Sequence, residues 1–178
     1  MKGTIIILLF AIALSDNASI IWNTLLKSGM TKAGVTGTMG NLEAESGLTS
    51  CIYQMSYRQK LGNISNQEYC NRVNKGTYSA KSFIHDSVGF GLAQWTFWSV
   101  KQELLETCKG QIGDLNCQLK YLIKSMKQYG PWSTLTKSND VRTCSNEVLF
   151  KYERPADQSV AAQNKRYNFA MKHYNRFK

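Results

Sequence analysis

Gly40-Asn41-Leu42-Glu43-Ala44-Glu45-Ser46-Gly47-Leu48, answered further along by Gly89-Phe90-Gly91-Leu92-Ala93-Gln94-Trp95-Thr96, is the part of the chain from which the rest can be read. Upstream, Thr31 can accept from the free amides of a first helical turn, and Val35, Met39 and Leu42 recur at helical spacing. Gly47 suits the left-handed residue that ends a helix. Glu43 and Glu45 therefore fall near the end of this helix. There, unpaired carbonyls and the negative end of the helix dipole disfavour a second negative charge. A carboxylic acid that keeps its proton can give it to a leaving oxygen. At about 100° per residue the two glutamates flank the Val35/Met39/Leu42 stripe symmetrically, so periodicity does not choose between them.

The surrounding sequence is mainly helical, with no internal repeat or low-complexity tract. Ile20, Ile21, Trp22, Leu25 and Leu26 predict a short first helix ended by Gly29. The stretch 49–82 is polar and turn-rich, with Gly62-Asn63 and Lys75-Gly76 as turns and only short ordered pieces, and 83–95 reads as irregular strand and loop. Helical spacing returns over 98–108, and again behind an Asp114 cap through Leu115, Leu119, Leu122 and Met126, until Gly130-Pro131 stops it. Asn139 or Asp140 starts another helix that closes near Pro155, and a last one is expected from about Ser159 to Tyr174.

The ends and the composition narrow the class. Met1-Lys2-Gly3, the apolar run from Thr4 to Leu14 and the small residues at Ala13-Leu14-Ser15 have the form of a secretory leader over 1–15. A single domain over 16–178 would follow. The run is too short to span a bilayer comfortably, so no stable membrane anchor is expected. The formal net charge of +10 drops by one without Lys2, and a basic surface favours anionic partners. Lys and Arg are scattered and no nucleic-acid-binding motif accompanies them, which argues against nucleic acid. Five cysteines, Cys51, Cys70, Cys108, Cys117 and Cys144, predict two disulfides and one leftover thiol in a secreted chain. No Cys-x-x-Cys pair is present, so neither a metal nor a cofactor is expected.

Among other candidates, Asp86 stands just before the glycine-rich segment. It is either a second catalytic carboxylate or a turn residue bonding its own backbone. His85 reads as structural, and His173, in the last helix, as a surface or packing residue. Trp95 is assigned to a ligand-facing side, whereas Phe97 and Trp98 read equally well as anchors of the following helix.

Four blocks, in order, carry a family resemblance. They are Gly29-Met30-Thr31-Lys32-Ala33-Gly34-Val35, the Gly-Asn-x-x-x-Glu-Ser-Gly-Leu motif ending at Leu48, Asp86 to Thr96, and Lys151-Tyr152-Glu153-Arg154-Pro155-Ala156-Asp157. Together they resemble the phage tail-associated lysozymes. The resemblance implies a mainly α, lysozyme-like α+β fold, with a small irregular β insert lining a cleft. It implies cleavage of the β-1,4 linkage between N-acetylmuramic acid and N-acetylglucosamine in peptidoglycan, with Glu45 as general acid. Gly89, Gly91, Leu92 and Gln94 map onto a segment that lines the sugar cleft in the wider superfamily. Glycines let a backbone approach a saccharide, Gln94 can donate and accept, and Trp95 can offer a ring face.

The leader, the cysteines and the missing long tail-protein context depart from a phage protein, and on them the expected protein is a secreted, stand-alone, monomeric bacteriolytic enzyme, released outside the cell or into a digestive or phagocytic vacuole. Lytic transglycosylation of the same bond and peptidoglycan binding without catalysis remain open. A cysteine peptidase would have only His85 and His173 to call on, and disulfide formation would remove most thiols.

Overall fold

The computed structural model describes residues 17–177; the expected leader, 1–15, lies outside them. Helix α1 covers 17–27, and Gly29 then takes a left-handed turn at φ 100°. Helix α2 (Lys32–Ser46) begins as expected, with the Thr31 hydroxyl accepting from the Gly34 amide at 3.0 Å. It ends at Gly47, φ 60°.

The rest of the order is α3 (Asn66–Asn74), α4 (Ala80–His85), α5 (Trp98–Thr107), α6 (Leu115–Tyr129), α7 (Trp132–Lys137), α8 (Val141–Val148) and α9 (Val160–Arg176). Asp114 caps α6 by accepting from the Cys117 amide at 2.7 Å, and Asp140 caps α8 through the Thr143 amide at 2.6 Å. A π-helical turn, Leu149–Glu153, extends α8 until Arg154, at φ 45°, ends it before Pro155. The fold is mainly α.

The contacts divide the chain into two units, one holding the residues up to Ala44 and those from Met126 on, the other Glu45–Ser125. In the first unit α2 is the central element. Every residue from Ala33 to Leu42 is buried, so the helix is enclosed rather than apolar on one stripe. Gly34, Gly37 and Gly40 explain how. A Cβ on them would stand 2.0 Å from the Leu135 carbonyl oxygen, 2.7 Å from the Ser145 nitrogen and 2.4 Å from the Arg166 carbonyl oxygen. Three glycines on one helix thus admit α7, α8 and α9 to backbone contact. Asn41, the motif asparagine, donates to the Ser145 carbonyl at 3.0 Å and fastens α2 to α8. At the other end of this unit Trp22 stacks on Phe177, ring centres 4.8 Å apart.

The second unit is built round an aromatic core. Tyr69 packs against Tyr53, Tyr78, Phe83 and Phe90, with ring centres 5.3–6.3 Å apart. Disulfides Cys51–Cys70 and Cys108–Cys117 close short loops in this unit, as the odd cysteine count suggested. The leftover Cys144 is buried in the first unit, and burial raises its thiol pKa, which suppresses the reactive thiolate.

Two expectations need correction. Among the described residues there is no extended strand; the anticipated β insert amounts to two isolated antiparallel bridges, Tyr53 with Phe90 and Phe90 with Trp95. Residues 83–85, expected as irregular strand and loop, belong to helix α4, capped by Ser79. The short ordered pieces expected in the polar stretch include α3, begun by a Ser65-x-x-Glu68 sequence whose serine accepts from the Glu68 amide. Helix α7 has no counterpart among the sequence expectations. Pro131, at φ −76°, stops α6 and opens α7, because a proline is tolerated where a helix amide has no partner anyway.

Candidate active site

Glu45 lies in the last turn of α2 and is half-buried. Two residues later the chain reverses through Gly47 and Leu48, both left-handed at φ 60° and 62°. Leu48 is buried, and an apolar side chain held in that conformation is costly enough to mark the segment as constrained.

The companion carboxylate has a different fate. Glu43 Oε2 lies 2.5 Å from His173 Nε2 and Oε1 lies 3.0 Å from Lys172 Nζ, which ties α2 to α9. His173 is buried, not superficial, and its Nδ1 has no partner. In the neutral ring Nε2–H donates to Glu43 and Nδ1 is a bare acceptor. Protonation would bury an N–H with nothing to receive it, and burial accordingly holds the His173 pKa below its ordinary 6.5 despite the nearby carboxylate. Since the unfolded chain takes up the proton first, stability is full above about pH 6.5 and is lost as pH falls towards the lower folded value. Thermal unfolding at pH 5 and pH 7.5 checks this. His173→Gln, which keeps a donor but does not titrate, is expected to flatten the difference, and an unaltered difference would count against the assignment.

Gly89, Gly91, Gln94 and Trp95 come together in one tight loop. The Phe90 amide donates to the Trp95 carbonyl at 3.1 Å and the Trp95 amide returns to Phe90 at 2.9 Å. Gln94, left-handed at φ 46°, sends Nε2 to the Gly91 carbonyl at 3.1 Å. A Cβ on Gly89 would approach Gln94 Oε1 to 3.1 Å. The burial of Trp95 departs from the ligand-facing side expected of it, and exposure decides between the two readings of Phe97 and Trp98, platform or core anchor, against the anchor. Trp95 is 6% exposed, its ring edge-on to Tyr121 at 5.2 Å, while Phe97 is 76% and Trp98 58% exposed. Trp95 is held by both of its backbone bonds to Phe90, which turn its ring inward; Phe97 and Trp98 merely open α5.

Gln118 is not among the residues that the sequence motifs single out. It is fully buried on α6, accepts from the Leu92 amide at 2.9 Å, and donates to the carbonyls of Ser50 at 2.7 Å and Ile112 at 2.6 Å. One amide thus holds the glycine-rich loop in place. The signal was available, since Gln118 interrupts the apolar face formed by Leu115, Leu119 and Leu122. Gly91, φ 75°, packs so closely that a Cβ would come within 2.6 Å of Gln118 Oε1. Gly91→Ala is expected to lose about 1–2 kcal/mol from left-handed strain before any displacement of Gln118 is counted. A urea midpoint equal to wild type would contradict this.

Asp86 is a hub. One carboxylate oxygen pairs with the Lys101 ammonium and takes the Val88 amide at 2.8 Å, closing an Asx-turn. The other accepts from the Tyr69 hydroxyl at 2.6 Å and the Tyr78 hydroxyl at 3.3 Å. Lys101 also donates to the Val88 carbonyl at 3.0 Å and stands 4.2 Å from the centre of the Phe83 ring. Burial lowers the Lys101 pKa while the Asp86 charge opposes that shift. Burial together with Asp86 drives Tyr69 far up and pushes Tyr78 up to about 12, so both phenols stay protonated as donors.

A cavity of about 610 Å³ in the second unit has Asp86 in its wall, but Glu45, Gly89, Gly91 and Gln94 are not among its lining residues. Among the described residues no group of three or more His, Cys, Asp or Glu side chains could hold a metal ion, and no helix is long and apolar enough to cross a membrane.

The model of the family described as Phage tail lysozyme matches residues 16–177. No curated protein matches the chain. The four sequence blocks, the helix that delivers Glu45 and the glycine-rich loop all lie within that match, and the chain belongs to the phage tail lysozyme family.

Proposed function

We propose that this protein is an exported enzyme that cuts the β-1,4 bond between N-acetylmuramic acid and N-acetylglucosamine, with Glu45 as the general acid. Membership of a peptidoglycan-cleaving family supports the substrate class. The residue assignment rests on the Glu-Ser-Gly block that the family match spans and on the place of Glu45 in the last turn of α2; Glu43, held by His173 and Lys172, has a structural task. In the proposed step Glu45 passes its proton to the glycosidic oxygen as the bond to the sugar carbon breaks. Gly89, Gly91 and Gln94 hold the sugars, with Gln118 fixing their loop.

Asp86 supports a second reading of the product. Its two oxygens receive an ammonium, an amide and two phenols, which suits an anchor better than a nucleophile or base. Without a second carboxylate, the muramic C6 hydroxyl can attack the sugar carbon intramolecularly and surrender its proton to the Glu45 carboxylate, leaving an anhydro end. Hydrolysis instead adds water across the bond. Mass analysis of digested peptidoglycan separates the two outcomes, because hydrolysis products are one water heavier. New amino groups without new sugar ends would reject both in favour of a peptidase.

A further inference from the structure

We propose that the cavity beside Asp86 is a subsite for carboxylates of the acidic peptide branches that peptidoglycan strands carry. This rests on the reading of peptidoglycan as substrate and adds a site that recognises its peptide rather than its sugar. Three permanent cations line the cavity, Lys60, Arg72 and Lys81, with His85 beside them. The one carboxylate in the wall is Asp86, whose charge is met by the buried Lys101 directly behind it. An incoming anion therefore sees an excess of positive charge in a partly enclosed space, where charge–charge attraction exceeds its value in open water.

The cations are available for a ligand. Lys81 makes no ion pair among the described residues. Among the described residues the Lys60 ammonium has the Tyr57 ring, 5.3 Å away, and no ion pair. Arg72 pairs with Glu68 through Nε at 2.7 Å, so its two terminal nitrogens still carry donors. Leu61 and Ile64 add apolar side chains to the charged lining. A lining that combines cations with aliphatic side chains suits a short peptide, which carries both carboxylates and small apolar side chains. A phosphodiester polymer would fill the charges and leave the aliphatic wall unused. The volume lies within the range that short organic ligands occupy. Trp98, exposed and stacked on His85 at 6.3 Å, extends an aromatic face from the lining.

The test is a calorimetric titration of the whole protein with the soluble acidic peptides that an amidase releases from peptidoglycan, alongside a glycerol phosphate oligomer of equal charge. Saturable peptide binding, weakened at least about tenfold in the Lys60→Gln/Lys81→Gln double variant, is the expected result. Both lysines are exposed, and an unchanged melting temperature shows that the variant is folded. Absent peptide binding, binding indifferent to the two lysines, or equal affinity for the phosphate oligomer would overturn the proposal; the last would reassign the cavity to phosphate polymers. Because the readout is binding of an uncut peptide, it is independent of Glu45. Failure of the glycosidase reading shows instead in the sugar ends released by wild type.

Discussion

Lys101→Met is expected to cost about 3–5 kcal/mol, because it leaves the Asp86 carboxylate buried without its counter-charge. The Lys101 side chain is fully buried and that of Asp86 is 6% exposed, so water cannot take over from the missing partner. At the enthalpy typical of a domain this size, the loss lowers the melting temperature by roughly 6–20 °C. Asp86→Ala is expected to behave similarly, since it strands Lys101 and leaves Tyr69 and Tyr78 without their acceptor. The double variant is expected to lose much less than the sum of the singles, because removing both charges also removes their desolvation cost. Circular dichroism melts of the four proteins measure this. Strictly additive losses, or a single loss under about 1 kcal/mol, would show that the pair does not anchor the unit. In this account the activity of any Asp86 variant follows its folded fraction, whereas a catalytic Asp86 would lose activity in a fully folded protein.

How much of this could be read from the sequence depends on whether a residue acts locally or at a distance. Thr31, Asp114, Asp140 and Ser159 act on amides within three residues of themselves, and helices α2, α6, α8 and α9 accordingly begin where capping chemistry places them. The family block likewise points to Glu45 from adjacent residues alone. The roles that escaped depend on distant partners. Asp86 reads as a second carboxylate or a turn residue, and the turn it closes on the Val88 amide is local, but its pairing with Lys101 comes from α5; His173 reads as surface or packing until α9 lies on Glu43. The burial of Trp95 has the same origin, because it follows from the bridge to Phe90. The Gly34/Gly37/Gly40 spacing was visible, but an apolar stripe of Val35, Met39 and Leu42 is an incomplete description of a helix enclosed on every side.

Glu45→Gln is expected to reduce cutting by about 10²–10⁴-fold, the usual contribution of a positioned acid, because glutamine has no proton to give a leaving oxygen. The amide is nearly isosteric and the side chain is only half-buried, so little stability should be lost. Glu43→Gln is the informative control. It is expected to weaken the tie to His173 and Lys172, and hence to lower the melting temperature, yet to keep its cutting activity. The opposite pattern would transfer the acid's role to Glu43.

The most direct measurement is the count of new sugar ends, reducing and anhydro together, released from purified peptidoglycan by wild type, Glu45→Gln and Glu43→Gln under one set of conditions. Sugar ends are expected from wild type and Glu43→Gln, and background levels from a Glu45→Gln protein that melts like wild type. Wild-type release by a folded Glu45→Gln, or the appearance of new amines in place of sugar ends, would contradict this expectation.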